Sequence, residues 1–216
     1  FTWHKKWDKA LDWNFKEPAI RWFEGAQLNI TENCLDRHIE NQGDVTALIW
    51  EPNDPKEASR SFTYKELLAE VNIMANVLKN MGVQKGDRVC IYLPMIPELA
   101  FATLACARIG AIHSVVFAGF SSNAVADRIN DAQCAFVLTA DGLNRGAKQI
   151  PVKSVVDEAI EQCPSVKKVL VVNRLNWPVH MIADRDIWYH EAVQSVDSDC
   201  PATTMNSEDE LFILYT

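Results

Sequence analysis

The chain has 216 residues, of which 48% are hydrophobic and 23% charged, and its net charge is −8. That balance belongs to an ordinary globular protein and excludes a disordered or fibrous chain. The acidic sum argues against a sequence-independent grip on nucleic acid, although a local basic patch can still hold a phosphate.

Residues 1–45 carry Trp3, Trp7, Trp13 and Trp22 and few strand-like runs. The segment reads as an N-terminal extension that wraps another surface, with aromatic rings as anchors. His4, Lys5, Lys6, Asp8 and Lys9 interrupt its start, so no apolar stretch of a secretory signal is present. From 46 to 216 strand and helix alternate. Residues 47–50 form a short strand. Thr63 and Glu66 make a capping box, because each side chain can satisfy an orphan amide of the helix start. The helix they open presents Leu67, Val71, Met74, Leu78 and Met81 as one apolar stripe and stops at Gly82.

Residues 88–93 are the next strand. Pro97 fits the first turn of a helix that runs to Ile109 and ends at Gly110. A strand at 115–117 leads to a helix capped by Ser121 or Ser122 and running to Ile129. Residues 136–139 form a strand, followed by a loop at 141–150. The amphipathic stretch 152–163 stops before Pro164, 169–172 is a strand, 186–193 a short helix and 211–215 a final strand. Residues 53–61 and 175–185 read as loops without chemistry. The longest apolar run, 99–107, is far short of the roughly 20 residues a bilayer span takes, so no membrane partner is expected.

Apolar strands separated by helices predict an α/β fold with a largely parallel sheet flanked by helices on both faces. Ligands of such sheets bind at the C-terminal ends of the strands. That rule points to the turn at 117–122, the loop at 141–150 and Thr216.

The six cysteines (Cys34, Cys90, Cys106, Cys134, Cys163, Cys200) show no CxxC or CxxxxC spacing, which leaves no zinc pattern. A chain with a full core needs no disulfides, so they read as reduced thiols in a cytosolic compartment. The eight glycines form no GxG and no phosphate-loop signature, and the five histidines form no HExxH. No GxSxG elbow occurs.

Three places remain that could carry chemistry. In Phe117-Ala118-Gly119-Phe120-Ser121, small residues let the backbone approach a ligand, and the helix start at Ser121 offers amides. The same pattern is also an ordinary tight turn with two core phenylalanines. Asn144-Arg145-Gly146-Ala147-Lys148 places two cations where both can reach one dianionic phosphate; it equally describes a solvated loop or helix start. Thr216 can offer its hydroxyl to a phosphate oxygen or a magnesium-bound water, or is simply a β-branched strand residue. Asp36-Arg37-His38 reads as a helix cap or surface ion pair, and Arg128 with Asp131 as a solvated helix face.

Pro94-Met95-Ile96-Pro97-Glu98-Leu99, the run 104–120, Leu138-Thr139-Ala140-Asp141-Gly142 and Leu211-Phe212-Ile213-Leu214-Tyr215-Thr216 together resemble the N-terminal part of the acetyl-CoA synthetases, which are adenylate-forming enzymes. Lys85-Gly86-Asp87-Arg88-Val89 resembles a turn and strand of the wider superfamily. The resemblance covers nearly the whole chain. It implies the incomplete N-terminal domain of an AMP-binding enzyme, cut before the phosphate loop; the first residue is Phe rather than Met, so the start reads as trimmed too. It also implies the reaction of acetate, ATP and CoA to acetyl-CoA, AMP and pyrophosphate, with Mg2+ accompanying ATP.

Residue by residue, the resemblance implies that Phe117, Ala118 and Gly119 line the CoA nucleotide. Arg145 and Lys148, with Gly146 and Ala147 between them, would meet its 3′-phosphate, and Thr216 would open the ATP phosphate loop. Many members have Gly where Ala118 stands, and some have Arg at Lys148. The catalytic residues are expected outside this chain, which should be inactive alone. A propionate or acetoacetate enzyme, and a non-catalytic α/β binding module, remain alternatives.

Overall fold

The computed structural model describes residues 1–146 and 148–215. The N-terminal segment forms β1 (Lys9–Asn14), β2 (Ala19–Glu24), β3 (Gln27–Leu28), α1 (Ile30–Cys34) and, after a 3-10 turn at Asp36–His38, α2 (Ile39–Gln42). There follow β4 (Thr46–Trp50), β5 (Arg60–Thr63), α3 (Tyr64–Asn80), β6 (Arg88–Ile91), α4 (Pro97–Ile109), β7 (Ile112–Val115), α5 (Ser122–Ala132) and β8 (Phe136–Ala140). The chain continues through β9 (Leu143–Arg145), β10 (Lys148–Ile150), α6 (Val152–Ile160), β11 (Lys168–Val172), β12 (Asp186–Trp188), α7 (Tyr189–Ala192), a 3-10 turn at Val193–Ser195, β13 (Met205–Asn206) and β14 (Phe212–Ile213).

The centre is a six-stranded sheet in the order β12-β11-β8-β6-β7-β14, and every neighbouring pair in it is parallel. Side chains alternate across each strand, and both faces are apolar. Val89 and Ile91 of β6, Phe136 and Leu138 of β8 and Leu170 of β11 pack toward α3 and α4. Cys90, Val137, Val169 and Val171, from the same strands, pack toward α5 and α6. Each buried aliphatic side chain contributes about 1.5–3 kcal/mol over an exposed one, which is why these strands read as continuous apolar runs.

The predicted helix signals appear as local geometry. Thr63 and Glu66 form the reciprocal capping box of α3, Pro97 opens α4, and Gly110 closes it in the left-handed conformation. Ser121 caps α5, accepting the Ala124 amide at 3.4 Å.

Four elements differ from the sequence reading by more than their boundaries. Residues 9–24, read as part of an extension with few strand-like runs, form an antiparallel hairpin that leaves Trp13 and Trp22 exposed. Trp3, Trp7 and Phe23 pack edge-on or tilted against one another instead, with ring centroids 5.2–5.3 Å apart. The strand at 46–50 pairs antiparallel with β5 outside the main sheet. Residues 186–188, expected in a helix, add a parallel edge strand to β11, and helix begins only at Tyr189. The loop at 141–150 contains an antiparallel hairpin.

Asp36 also serves a different purpose from a cap or surface pair. Arg108 of α4 is 4% exposed and donates to both Asp36 oxygens at 2.8 and 2.9 Å, and to the Cys200 carbonyl at 2.6 Å. Asn29 holds the carbonyls of Ala107, Arg108 and Thr203. The segment before β4 is thereby fastened to the C-terminal end of α4. Among the described residues no helix is long and apolar enough to cross a membrane.

Candidate functional site

The parallel strands β6, β7, β8 and β11 end at one rim, and the loops that leave them surround a cavity of about 430 Å³. Its lining includes Leu93 and Ile96 after β6, Val116, Phe117 and Ala118 after β7, Leu143 and Arg145 after β8, and Arg174 after β11. This is where a parallel sheet offers a ligand site. A smaller cavity of about 190 Å³ lies at the opposite end of β7, between Gly110 and Met205.

The turn after β7 is held from beneath. The Val116 amide bonds the Ile91 carbonyl at 2.9 Å, and the amides of Gly119 and Phe120 bond the Phe117 carbonyl at 2.8 and 3.1 Å. Tyr92, fully buried, donates its hydroxyl to the Phe120 carbonyl at 2.8 Å, and burial pushes its pKa up. Ala118 is buried, whereas Phe117 is half exposed with its ring folded back over the turn. A Cβ on Gly119 would lie 2.8 Å from that ring and 3.5 Å from Nη1 of Arg145. A side chain at this position would have to push the Phe117 ring aside.

The hairpin β9–β10 brings the two predicted cations together. Arg145 and Lys148 are directly opposed partners across it, and directly opposed residues point to the same face. Their i, i+3 spacing therefore places both charges on one surface, as the sequence implied, through a hairpin rather than a helix start. The Arg145 guanidinium lies 5.6 Å from the centre of the Phe117 ring, a cation–π distance. Phe117, Gly119 and Arg145 are thus one cluster, with Ala118 buried under it and Lys148 exposed beside it. Gly146 stands at the hairpin turn. Ala147 and Thr216 lie outside the described residues; β14, two residues of the strand expected before Thr216, pairs with His113 and Ser114 of β7.

Several lining residues carried no sequence signal. Trp50 and Arg174 meet across a distance of 5.2 Å, and Glu57, within a stretch read as a loop without chemistry, pairs with Arg174 at 2.5 Å. Arg128, expected on a solvated face, lies over the rings of Phe120 and Tyr215, while Asp131 accepts the Tyr215 hydroxyl at 2.7 Å. Burial and that hydrogen bond push Tyr215 up to about 12. Among the described residues no group of three His, Cys, Asp or Glu gathers as a metal site.

What this arrangement can do is hold an anionic ligand that carries a flat ring. Arg145 and Lys148 supply charge for a phosphate, Phe117 supplies an aromatic face, and the cavity supplies apolar surface. Nothing in the cluster resembles a nucleophile activated by a base.

Residues 35–216 match the family described as AMP-binding enzyme, and residues 1–34 match the one described as acetyl-coenzyme A synthetase N-terminus. The chain is 53% identical over 214 residues to the acetyl-coenzyme A synthetase of Magnetococcus marinus, a match that takes in 99% of this chain and 33% of that protein. It is 56% identical to the acetyl-coenzyme A synthetase of Alkalilimnicola ehrlichii, with the same coverage. Among solved structures, the acetoacetyl-CoA synthetase from Streptomyces lividans superposes with a TM-score of 0.88 at 26% identity, over 100% of this chain and 32% of that one. The chain spans about a third of the length of these relatives, and with 35–216 matched it belongs to the AMP-binding enzyme family.

Proposed function

We propose that this chain is the N-terminal third of an acetyl-CoA synthetase and carries part of that enzyme's CoA nucleotide site. Domain assignment follows the same reading: 1–45 is an extension fastened to the α/β portion, and 46–216 is the first part of the AMP-binding domain. The observation that carries the proposal is the cluster at the cavity's mouth, where Arg145 lies over Phe117 and Gly119 with Lys148 paired beside it.

In the proposed reaction, an acetate oxygen attacks the α-phosphorus of ATP and pyrophosphate leaves. The CoA thiol then attacks the acetyl carbonyl and AMP leaves. This chain's residues act in the second step, and they act by positioning. Arg145 and Lys148 neutralise the 3′-phosphate of CoA. Phe117 offers its ring to the nucleotide, and the turn at Ala118–Gly119 lets backbone come close. Fixing the nucleotide end directs the thiol arm and converts a bimolecular encounter into an oriented one. Thr216 opens the ATP phosphate loop. Among the described residues no group of three His, Cys, Asp or Glu gathers as a ligand cluster for magnesium. Cys34 is exposed and the other cysteines are buried, all unpaired, which suits the reducing cytoplasm we assign.

The test has two arms. The 216-residue chain alone should show no acetate-dependent exchange between ATP and pyrophosphate, because on this reading it carries only the opening residue of the ATP phosphate loop and none of the acetate pocket. Exchange above a no-protein control would overturn that. The full-length protein should release pyrophosphate with acetate in preference to propionate or acetoacetate. Acetoacetate preference would favour the activity named for the Streptomyces structure, and no acid- and CoA-dependent turnover would leave a binding module.

A further inference from the structure

The lining of the large cavity contains a second arginine that the proposed site does not use. Arg174 leaves the C-terminal end of β11 and lies on the same cavity as Arg145 and Phe117. Its guanidinium is 5.2 Å from the centre of the Trp50 ring, and that ring is fixed by a 2.8 Å hydrogen bond from Nε1 to the Met95 carbonyl. Its Nη2 sits 2.5 Å from Glu57 Oε2.

The backbone beneath Arg174 is anchored far more firmly than its head. Asp141 is fully buried. Its carboxylate accepts the amides of Gly142, Arg174, Leu175 and Trp177 at 2.8–3.1 Å. Trp177 in turn lies on Gly142, where an added Cβ would meet its ring at 2.5 Å. One buried carboxylate therefore ties the segment bearing Arg174 to the start of the hairpin bearing Arg145. By contrast, the head is held by one partly buried ion pair: the Arg174 and Glu57 side chains are 26% and 34% exposed. A phosphate offers more charge and more acceptor oxygens than that one carboxylate.

We propose that Arg174 is a second phosphate-binding cation of this cavity, released from Glu57 when a nucleotide carrying phosphates at two positions enters. The proposal rests on the reading of this cavity as the CoA nucleotide site. Arg145 and Lys148 would then hold the 3′-phosphate while Arg174 takes the diphosphate. Glu57 keeps Arg174 on the Trp50 face until the ligand arrives and competes with it afterwards.

That competition makes the idea testable in the full-length enzyme, with CoA, dephospho-CoA and ATP as probes. Arg174→Ala should raise the KM for CoA by about tenfold, the loss of one charge-assisted contact, with kcat little changed. Dephospho-CoA, which keeps the diphosphate, should lose by the same factor. Arg174→Lys should restore part of the loss, and the KM for ATP should stay where it is. Glu57→Gln, a near-isosteric change at a partly buried side chain, should lower the KM for CoA by about twofold to threefold by removing the competitor. A rise with Glu57→Gln matching that of Arg174→Ala would make the pair a structural clamp and overturn the proposal. So would an Arg174→Ala effect on the KM for ATP in place of CoA. If Arg145→Ala leaves the KM for CoA untouched, the reading of the cavity itself fails, whatever Arg174 does.

Discussion

Lys153 and Arg145 carry the same charge, one just after a short hairpin and the other within it, but the fold treats them in opposite ways. Lys153, in the first turn of α6, is 1% exposed. Its ammonium is held by Asp157 at 2.7 Å, by Asp186 at 2.9 Å and by the His180 carbonyl at 3.0 Å. Arg185 completes the group, reaching Asp157 and Asp186 at 2.5 and 2.6 Å. Arg145 is exposed; among the described residues no carboxylate pairs with it, and it leans on the Phe117 ring beside the cavity. A cation whose every donor is satisfied inside the protein serves the fold. One left at a cavity's edge with only a ring for company is available to a ligand.

The comparison breaks most visibly in the buried network. Lys153→Met removes one cation and leaves two buried or half-buried carboxylates to Arg185 alone. Orphaning part of such a network costs about 3 kcal/mol or more, which urea unfolding of the 216-residue chain would register as a lower midpoint. Replacing the pair together, Lys153→Met with Asp186→Leu, should recover part of the loss, because apolar groups of similar volume remove the desolvation cost along with the attraction. A single mutant as stable as the parent would mean that Lys153 is no more committed to the fold than Arg145.

The opposite substitution sharpens the contrast. Arg145→Ala should leave the unfolding midpoint nearly unchanged. In the full-length enzyme it should raise the KM for CoA by about 10- to 100-fold, from a charge-assisted contact of about 1.5–3 kcal/mol at 1.4 kcal/mol per decade. The mutant should also discriminate less between CoA and dephospho-CoA than the parent does. Equal discrimination by both proteins would make Arg145 a solvated hairpin residue.

The same asymmetry governs what could be read from sequence. Elements whose signals are local were legible: the capping box of α3, Pro97 and Gly110 at the ends of α4, and the apolar strands of the central sheet. Phe117 with Gly119, and Arg145 with Lys148, were each legible as a local pair because a short turn joins them; that Arg145 would lie over Phe117 was not. What escaped depends on contacts between distant segments. Asp186–Trp188 becomes a strand because β11 has a free edge for it and because Asp186 is needed by Lys153. The wall of Trp50, Glu57 and Arg174 exists only because Asp141 draws 174–177 toward Gly142 and Met95 holds Trp50. The β1–β2 hairpin lacks a tight-turn dipeptide, so its alternation of aromatic and charged residues passed for an extension.

Acid provides a smaller handle on the buried side. Burial disfavours the charge on Asp186, but hydrogen bonds from Arg185, the Ile182 amide and Lys153 outweigh it, and the carboxyl is held below its ordinary value. A carboxyl depressed in the folded state stabilises the fold fully above its unfolded pKa of about 3.9. That contribution is lost as pH falls through the native value. Unfolding midpoints measured from pH 6 downward should therefore decline in acid. Asp186→Asn should be less stable at neutral pH and should show a flatter acid limb. An unchanged slope would remove Asp186 from the account of acid sensitivity.

Lys148 gives the smallest effect and the finest test of what an uncommitted cation is worth. It faces the same side of the hairpin as Arg145, but it is exposed, and an ammonium lacks the planar fork that grips a phosphate with two parallel bonds. A screened point charge of this kind contributes about 0.5–1 kcal/mol, so Lys148→Ala should raise the KM for CoA only about twofold to fivefold. Because the contribution is nearly all long-range charge, it should shrink as salt shortens the Debye length from about 10 Å at 0.1 M to about 3 Å at 1 M. The Arg145 contribution, made at contact distance, should persist. Lys148→Arg should tighten CoA binding if the 3′-phosphate lies between the two side chains. No gain from that change, with a salt-independent loss in Lys148→Ala, would show that Lys148 supports the hairpin rather than the ligand.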